Sequence, residues 1–356
     1  MSDDGSDAEM ADTMAERGGA NRVKLWILLE ANRWAVAAVV VVVTFAILVA
    51  LGSLDPNPLV ATMANSDPVE TLFQALTTAI VTGVTLVVSI NSLVLSQELG
   101  ALGDQRDRME GAMAFRRDLA DHLDRPVSPV EPSAFLAAIV DASHEQAEAL
   151  QAAVETNADG GDAVDDSART ELADFADSVV ENATNVGSQL DGAQFGTFDV
   201  VSAALDYNYS WKLYEARRLR AERGDDLSET ARETLDELVE TLELFGPARE
   251  HVKTLYFQWE LVDLSRAMLY VAGPALVVSV GSVLFLNDAG TLPGTTLGVS
   301  NLLWAVSAAT VVAVLPFVIL LAYVLRIATV AKRTLAIGPL MLRETERDGD
   351  DVRNAG

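Results

Sequence analysis

The chain has 356 residues, none of which is cysteine, and only three are histidine. Without cysteine there are no disulfides, no thiolate metal sites and no cysteine nucleophile. His122, His144 and His251 lack the four-residue spacing with which two histidines bind zinc on one helix. The sequence also lacks a phosphate-binding loop, a dinucleotide-binding glycine motif and a nucleophile elbow. We therefore expect no catalytic residue, no metal site, no cofactor and no enzymatic activity.

Lysine is scarce, since it accounts for four of the 25 basic residues, whereas 52 residues are acidic. The net charge of −27 leaves no basic surface that could neutralise phosphates, so we expect no nucleic-acid partner. Strong acidity with little lysine resembles proteins of salt-loving archaea, whose saline cytoplasm screens such charge. The composition predicts a protein of a halophilic archaeon.

Half of the residues are nevertheless hydrophobic, and they are concentrated in four long runs. A helix that spans a membrane needs about 20 mainly apolar residues, which each run provides. The first run starts far from the N-terminus and is followed by prolines, so it is a permanent span and not a cleavable signal peptide. The predicted spans are Trp34–Leu54, Thr71–Gln97, Met268–Leu286 and Leu297–Leu325.

Basic residues flank these runs on one side of the membrane only. They precede the first run, follow the second, precede the third and follow the fourth, whereas the loops 55–70 and 287–296 contain no Lys or Arg. Positively charged segments remain in the cytoplasm. We therefore expect a multi-pass protein of the cell membrane, embedded in the lipid bilayer, with both N- and C-termini cytoplasmic.

The segment between the second and third runs is long enough for a core of its own and has helical periodicity throughout. Leu235, Leu238, Leu242 and Phe245 recur at three- and four-residue spacing, which indicates one buried helix face. Gly246-Pro247 is expected to interrupt that helix. The predicted helices are Asp104–Leu123, Pro132–Asn157, Ser167–Leu190, Phe198–Arg223 and Leu227–Phe245.

The predicted fold class is all-α: a polytopic membrane protein with four transmembrane helices and a helical cytoplasmic domain inserted between the second and third. The polar, acidic ends have little to bury and are expected to be disordered. Apolar and basic residues around Trp26 suit an interfacial helix. The predicted segments are a tail with this interfacial helix (1–33), transmembrane helices 1 and 2 (34–97), the cytoplasmic domain (98–266), transmembrane helices 3 and 4 (267–327) and a cytoplasmic tail (328–356).

The second span carries a row of polar side chains, which we call the polar stripe. Its members are three or four residues apart, so they share one helix face along the whole span. Against lipid their hydrogen bonds would go unmade, and we expect the face to meet protein or water. The polar stripe consists of Thr71, Gln74, Thr78, Thr82, Thr85, Ser89, Ser92 and Ser96.

Two functions fit the polar stripe. In a homo-oligomer the stripes would line a pore for inorganic ions, because uncharged hydroxyls replace part of an ion's hydration without trapping the ion. Asp67 and Glu70 would then form an outer mouth that attracts cations. Alternatively, Ser and Thr are common contacts between membrane helices. The protein would then be a non-conducting scaffold or sensor that binds a cytoplasmic protein partner through its helical domain.

Eight polar residues in register favour the passive channel. The apolar runs contain no charge of the kind that marks ion-coupled carriers, which argues against a pump or secondary transporter. The layout of two spans, a cytoplasmic helical region and two further spans is similar to that of bestrophin-type and innexin-type channels. The similarity is one of layout alone, since none of their sequence motifs is present.

Overall fold

The computed structural model describes residues 26–27, 31–54, 58–63, 67–156, 166–286, 288 and 290–335. About 86% of the structure is helical, which confirms the all-α class. A two-residue antiparallel pair, β1 (Thr295–Thr296) with β2 (Val299–Ser300), is the exception. In chain order the helices are α1 (Arg33–Leu54), α2 (Leu59–Met63), α3 (Pro68–Glu98), α4 (Leu102–His122), α5 (Pro132–Thr156), α6 (Asp166–Leu190), α7 (Asp199–Asp206), α8 (Tyr209–Arg223), a 3-10 turn (Gly224–Asp226), α9 (Glu229–Phe285) and α10 (Asn301–Leu335).

Four of these helices, α1, α3, α9 and α10, are long and apolar enough to span a membrane, which makes this a multi-pass membrane protein. The predicted first and second spans agree with α1 and α3 to within three residues. The predicted third span is the last third of α9, a helix of 57 residues. At 1.5 Å per residue α9 is about 85 Å long, far more than a bilayer requires.

Packing divides the described chain into two units. The polar unit comprises Asp104–Tyr256 and the last described residues of α10, and the apolar unit comprises residues 26–103 and Phe257–Thr329. The division falls inside α9, directly after Tyr256. The predicted interfacial helix lies outside the described residues except for Trp26 and Ile27, and so do both predicted disordered ends.

The core of the polar unit confirms the periodicity of α9. Leu235, Leu238, Leu242 and Phe245 are all fully buried. The Phe245 ring lies edge-on to Tyr207, with 4.7 Å between the ring centres, and 5.5 Å from Tyr209. Helices α5 and α6 pack against each other, and α7 packs on α6, so the core joins segments distant in sequence.

The expected interruption at Gly246-Pro247 is wrong, because α9 continues through both residues. A Cβ on Gly246 would lie 3.1 Å from Cε2 of Tyr209, so glycine allows that ring to pack directly on the helix. Burial of Phe245, Ala248 and Val252 around this point offsets the loss of the backbone hydrogen bond that proline cannot make.

The predicted helix Phe198–Arg223 is wrong as a single element, since α7 ends at Asp206 and α8 begins at Tyr209. The buried side chain of Asn182 bridges the break. Its Nδ2 donates to the carbonyl of Asp206 (2.9 Å), and its Oδ1 accepts from the backbone N–H of Asn208 (3.1 Å). An amide in another helix therefore satisfies the groups that the break exposes.

In the apolar unit, α3 packs against α9 and α10. One cluster joins Val69, Phe73 and Ile80 of α3 to small residues of the other two helices, such as Ala275 and Ala313. A Cβ on Gly83 would already lie 3.4 Å from Cε1 of Phe317. Small residues thus bring these helix backbones close together, as is usual between membrane helices.

Helix α1 lies at the periphery of the apolar unit, since Ala37 is its only buried residue. Towards its C-terminus, Phe45 lies 5.7 Å from Trp304, and a Cβ on Gly52 would lie 2.6 Å from Leu303. The rest of the surface of α1 is mostly exposed valine and leucine, the composition of a lipid-facing surface.

We predict that Phe245→Ala lowers the free energy of unfolding of the polar unit by about 3–5 kcal/mol, because it removes a fully buried ring and leaves a cavity. Pulse proteolysis across a denaturant series measures this change. Val127→Ala serves as the control, because Val127 is 76% exposed and its truncation should be nearly neutral. Equal midpoints for the two variants would contradict the assigned core.

Candidate functional site

The polar stripe lies on α3, whose start agrees with known helix preferences. Pro68 occupies the beginning of the helix, where a missing N–H removes no helical hydrogen bond. The 31 residues of α3 extend about 46 Å, at 1.5 Å per residue. The stripe from Thr71 to Ser96 covers about 38 Å of that length, which exceeds the hydrocarbon thickness of about 30 Å.

Every member of the polar stripe is exposed on the surface of the protomer. The opposite face of α3 carries Val69, Phe73, Ile80 and Val87, each no more than 3% exposed. Thr71, Thr82 and Ser89 each follow a core-facing residue by two positions, which is about 200° around the helix. The structure therefore places all eight residues together, directed away from the core of the apolar unit.

Most of the stripe's hydroxyl groups donate to carbonyl oxygens of α3 itself, over distances of 2.7–3.1 Å. Such a bond satisfies the donor within the helix, while a hydroxyl oxygen has two lone pairs with which to accept. The hydroxyl–carbonyl pairs are Thr78 to Gln74, Thr82 to Thr78, Thr85 to Val81, Ser89 to Thr85 and Ser96 to Leu93.

Acidic residues lie at the N-terminal end of the same face. Glu70 is in the first turn of α3, where the helix dipole favours negative charge, and its Oε1 accepts a hydrogen bond from Nε2 of Gln74 (2.8 Å). Asp67 directly precedes the helix, and its side chain makes no capping hydrogen bond. Two carboxylates therefore lie at the N-terminal end of the polar stripe, which itself consists of one amide and seven hydroxyls.

This surface can coordinate weakly bound, partly hydrated ions or accept hydrogen bonds from another helix. A single protomer presents it as one exposed helix face, so an enclosed pore requires further copies. The described residues hold no group of three or more His, Asp or Glu side chains placed to bind a metal ion. The chemistry of the stripe is that of a surface for ions or for helix contacts.

A buried ion pair elsewhere in the apolar unit was not anticipated from the sequence. The guanidinium of Arg33, at the start of α1, pairs with the carboxylate of Glu260 in α9. The Glu260 side chain is 2% exposed and that of Arg33 is 20% exposed. The guanidinium carbon of Arg33 also lies 4.6 Å from the ring centre of Tyr323 in α10. One side chain of α1 thus contacts both α9 and α10.

The burial of Glu260 could have been predicted from its spacing relative to apolar residues of α9. Glu260, Leu264, Ala267 and Val271 are three or four residues apart, and all four are buried on one face of α9. The apolar runs themselves are uncharged as expected, but the helices that contain them extend further and carry buried Glu260 and Arg326. Both charged residues lie beyond the ends of the apolar runs, so the lack of charge within the runs did not reveal them.

Comparison with known proteins identifies a family to which no activity has been assigned. The model of a family described as "Family of unknown function (DUF7972)" matches residues 1–354. The chain belongs to this family. No curated protein and no solved structure matches the chain.

We predict that Glu260→Gln destabilises the protein by about 3 kcal/mol, because it leaves the Arg33 guanidinium largely buried without its carboxylate. Removing both charges with Arg33→Met and Glu260→Leu should recover most of that loss, since well-packed apolar residues often replace a buried ion pair without cost. Unfolding curves in detergent measure both variants.

The matched control is Glu233→Gln, because Glu233 is an exposed residue of the same helix and its neutral replacement should change stability by less than about 0.5 kcal/mol. Two results would show that the Arg33–Glu260 pair does not hold α1. One is a Glu260→Gln variant as stable as the wild type, and the other is that the separate effects of Arg33→Met and Glu260→Leu add up in the double variant.

Proposed function

We propose that this protein is a homo-oligomeric passive ion channel in which α3 of each copy lines the pore. One observation carries the proposal: the eight residues of the polar stripe are all exposed, in register, on the face of α3 opposite its core-facing residues. A face of this kind is available for assembly around an axis without any rearrangement of the protomer's own core.

The length of the stripe supports a pore more than a local helix contact. A contact between two helices needs only a few hydroxyls or small residues at the crossing point. This stripe instead continues for about 38 Å, the full depth of the hydrocarbon layer, as a conduction path must. Hydroxyl oxygens along that path replace part of an ion's hydration shell weakly enough for the ion to leave again.

The charge at one end of the stripe supports cation permeation. Asp67 and Glu70 repeat once per copy, so a ring of subunits concentrates several carboxylates at one mouth. Rings of acidic side chains are a common device of cation channels, because they raise the local concentration of cations. In the topology proposed here this mouth faces outwards.

The proposed topology follows from the positive charges flanking the four spanning helices. Both termini and the helical domain between α3 and α9 are cytoplasmic, and the residues that join α9 to α10 are external. The protein resides in the cell membrane, and its acidic surface suits the saline cytoplasm of a halophilic archaeon.

The second candidate function is a non-conducting scaffold or sensor with a cytoplasmic protein partner. The bonds from stripe hydroxyls to their own helix favour it, because satisfied donors can face another helix at little cost. Both candidates place the stripe against other copies or other helices. They differ in whether water and ions enter between them.

The topology predicts opposite labelling of two single-cysteine variants. The natural chain has no cysteine, so each introduced thiol is the only target of a maleimide reagent. We expect a membrane-impermeant maleimide to label Thr291→Cys in intact cells and Asp107→Cys only after the membrane is permeabilised, because positive charge retains the latter side in the cytoplasm. The reverse pattern would invert the proposed orientation.

The channel predicts ion flux that depends on the middle of the stripe. Purified protein in liposomes at high salt should conduct, and the double variant Thr85→Ile, Ser89→Ile should reduce flux by about tenfold or more, because it places a hydrophobic constriction in the pore. The matched control is Leu86→Ile, Val88→Ile, which changes exposed residues of α3 outside the stripe and should leave flux intact.

Chemical crosslinking must show that the double variant still assembles. Normal assembly with lost flux supports a pore lined by α3. Normal flux through the Thr85→Ile, Ser89→Ile variant contradicts it. Absence of flux through the wild-type protein, across several ions and voltages, favours the scaffold or sensor.

A further inference from the structure

Helix α4 has two parts that differ in burial. Every residue from 102 to 113 is exposed, a segment we call the exposed half of α4. The remaining part packs into the polar unit. There Phe115 lies 6.0 Å from Phe135, Leu119 is fully buried, and Arg116 donates to the carbonyl oxygens of Ser128 and Pro129. About three turns of helix therefore project beyond the core that holds the rest of α4.

The exposed half of α4 has one apolar edge. Leu102, Met109 and Met113 are seven and four residues apart, so they share a face, and they are 82%, 64% and 46% exposed. With Arg106 they complete a heptad pattern at 102, 106, 109 and 113. The remaining surface is mainly polar or small, as on the outside of a helix bundle.

The exposed half of α4 also has a composition of low helix propensity. Gly103 and Gly111 each cost about 1 kcal/mol relative to alanine in a helix, and no heavy atom outside the local backbone lies within 4 Å of a Cβ built at either position. A dozen residues of isolated helix are marginal in water, because most helical stability comes from packing of an apolar face. The exposed edge therefore calls for a partner.

A membrane surface and the N-terminal tail of the same chain both match this apolar edge poorly. The exposed half of α4 contains three acidic and two basic residues, a net charge of −1, whereas helices that lie on membrane surfaces are rich in Lys and Arg on their polar face. The chain's N-terminal tail, residues 1–22, carries six acidic and two basic residues, so it would bring further negative charge and little apolar surface.

We propose that the exposed half of α4 packs against the same segment of neighbouring copies in a parallel helix bundle. The inference rests on the proposed function, in which copies assemble through α3. Only three residues separate the end of α3 at Glu98 from Leu102, the first residue of α4. Three residues reach at most about 10 Å, so copies assembled through α3 deliver their α4 helices to one another at high effective concentration.

Charge complementarity supports a second copy as the occupant. Arg106 occupies one core position of the heptad, and its Nε lies 2.6 Å from Oε1 of Glu110 in the same chain. In a parallel bundle, Glu110 of each copy flanks Arg106 of the next, so the Arg106 charge stays paired after burial. A single polar core position of this kind specifies register and subunit number.

Disulfide crosslinking in the cysteine-free chain tests this packing. We expect Met109→Cys, on the apolar edge, to form covalent dimers in oxidised membranes at least about fivefold more than Asp107→Cys, because a disulfide needs Cβ atoms about 4 Å apart. Asp107 is exposed on the opposite side of the same helix. Ser89→Cys on α3 reports assembly through the polar stripe independently.

The three variants separate this inference from the proposed channel. Crosslinking of Met109→Cys well above Asp107→Cys supports the bundle, whether or not ion flux is observed. Crosslinking of Ser89→Cys without a preference for Met109→Cys overturns the bundle and leaves assembly through α3 standing. Quenching of a fluorophore on Met109→Cys by lipid-attached quenchers would also overturn it, because the edge would then lie on the membrane.

Discussion

Within the hydrocarbon layer the backbone finds no water, so each N–H and C=O group must be paired inside the protein. A helix meets this requirement by itself, and the four long helices of this chain follow from it. The same requirement extends to side chains, and in α3 it is met locally, because hydroxyls such as those of Thr82, Thr85 and Ser89 donate to the carbonyl one turn earlier. Polar residues can therefore occupy a surface of the apolar unit without unmade donors.

The two faces of α3 differ in chemistry, and this difference gives the apolar unit an apolar inner side and a polar outer surface at this helix. Aliphatic and aromatic side chains on one face pack against α9 and α10, while the opposite face presents oxygen atoms to whatever lies outside the protomer. Helix α1 contributes little to that core and is held at its N-terminal end by Arg33. A desolvated ion pair is stable there because the Glu260 carboxylate and the Tyr323 ring replace part of the water that Arg33 loses.

The long helices and the register of the polar stripe could be predicted from sequence because both depend on local periodicity. Twenty apolar residues suffice to identify a span, and spacings of three and four place side chains on one face whatever surrounds the helix. The buried face of α9 from Leu235 to Phe245 was predictable for the same reason. Local periodicity does not reveal what each face contacts. The sequence alone therefore did not decide whether the polar stripe faces the core or the surface of the protomer.

The two errors in helix boundaries show where local rules stop. At Gly246 a glycine that usually ends helices instead makes room for Tyr209, and at Tyr207–Asn208 a helix breaks because Asn182 supplies hydrogen bonds from another helix. By itself the sequence determined the helical class, the four spanning segments and the eight-residue stripe. Only the tertiary structure decided that the stripe is exposed, that α9 is continuous and that Glu260 is paired with Arg33. These features depend on contacts between residues far apart in the chain, which helical periodicity does not encode.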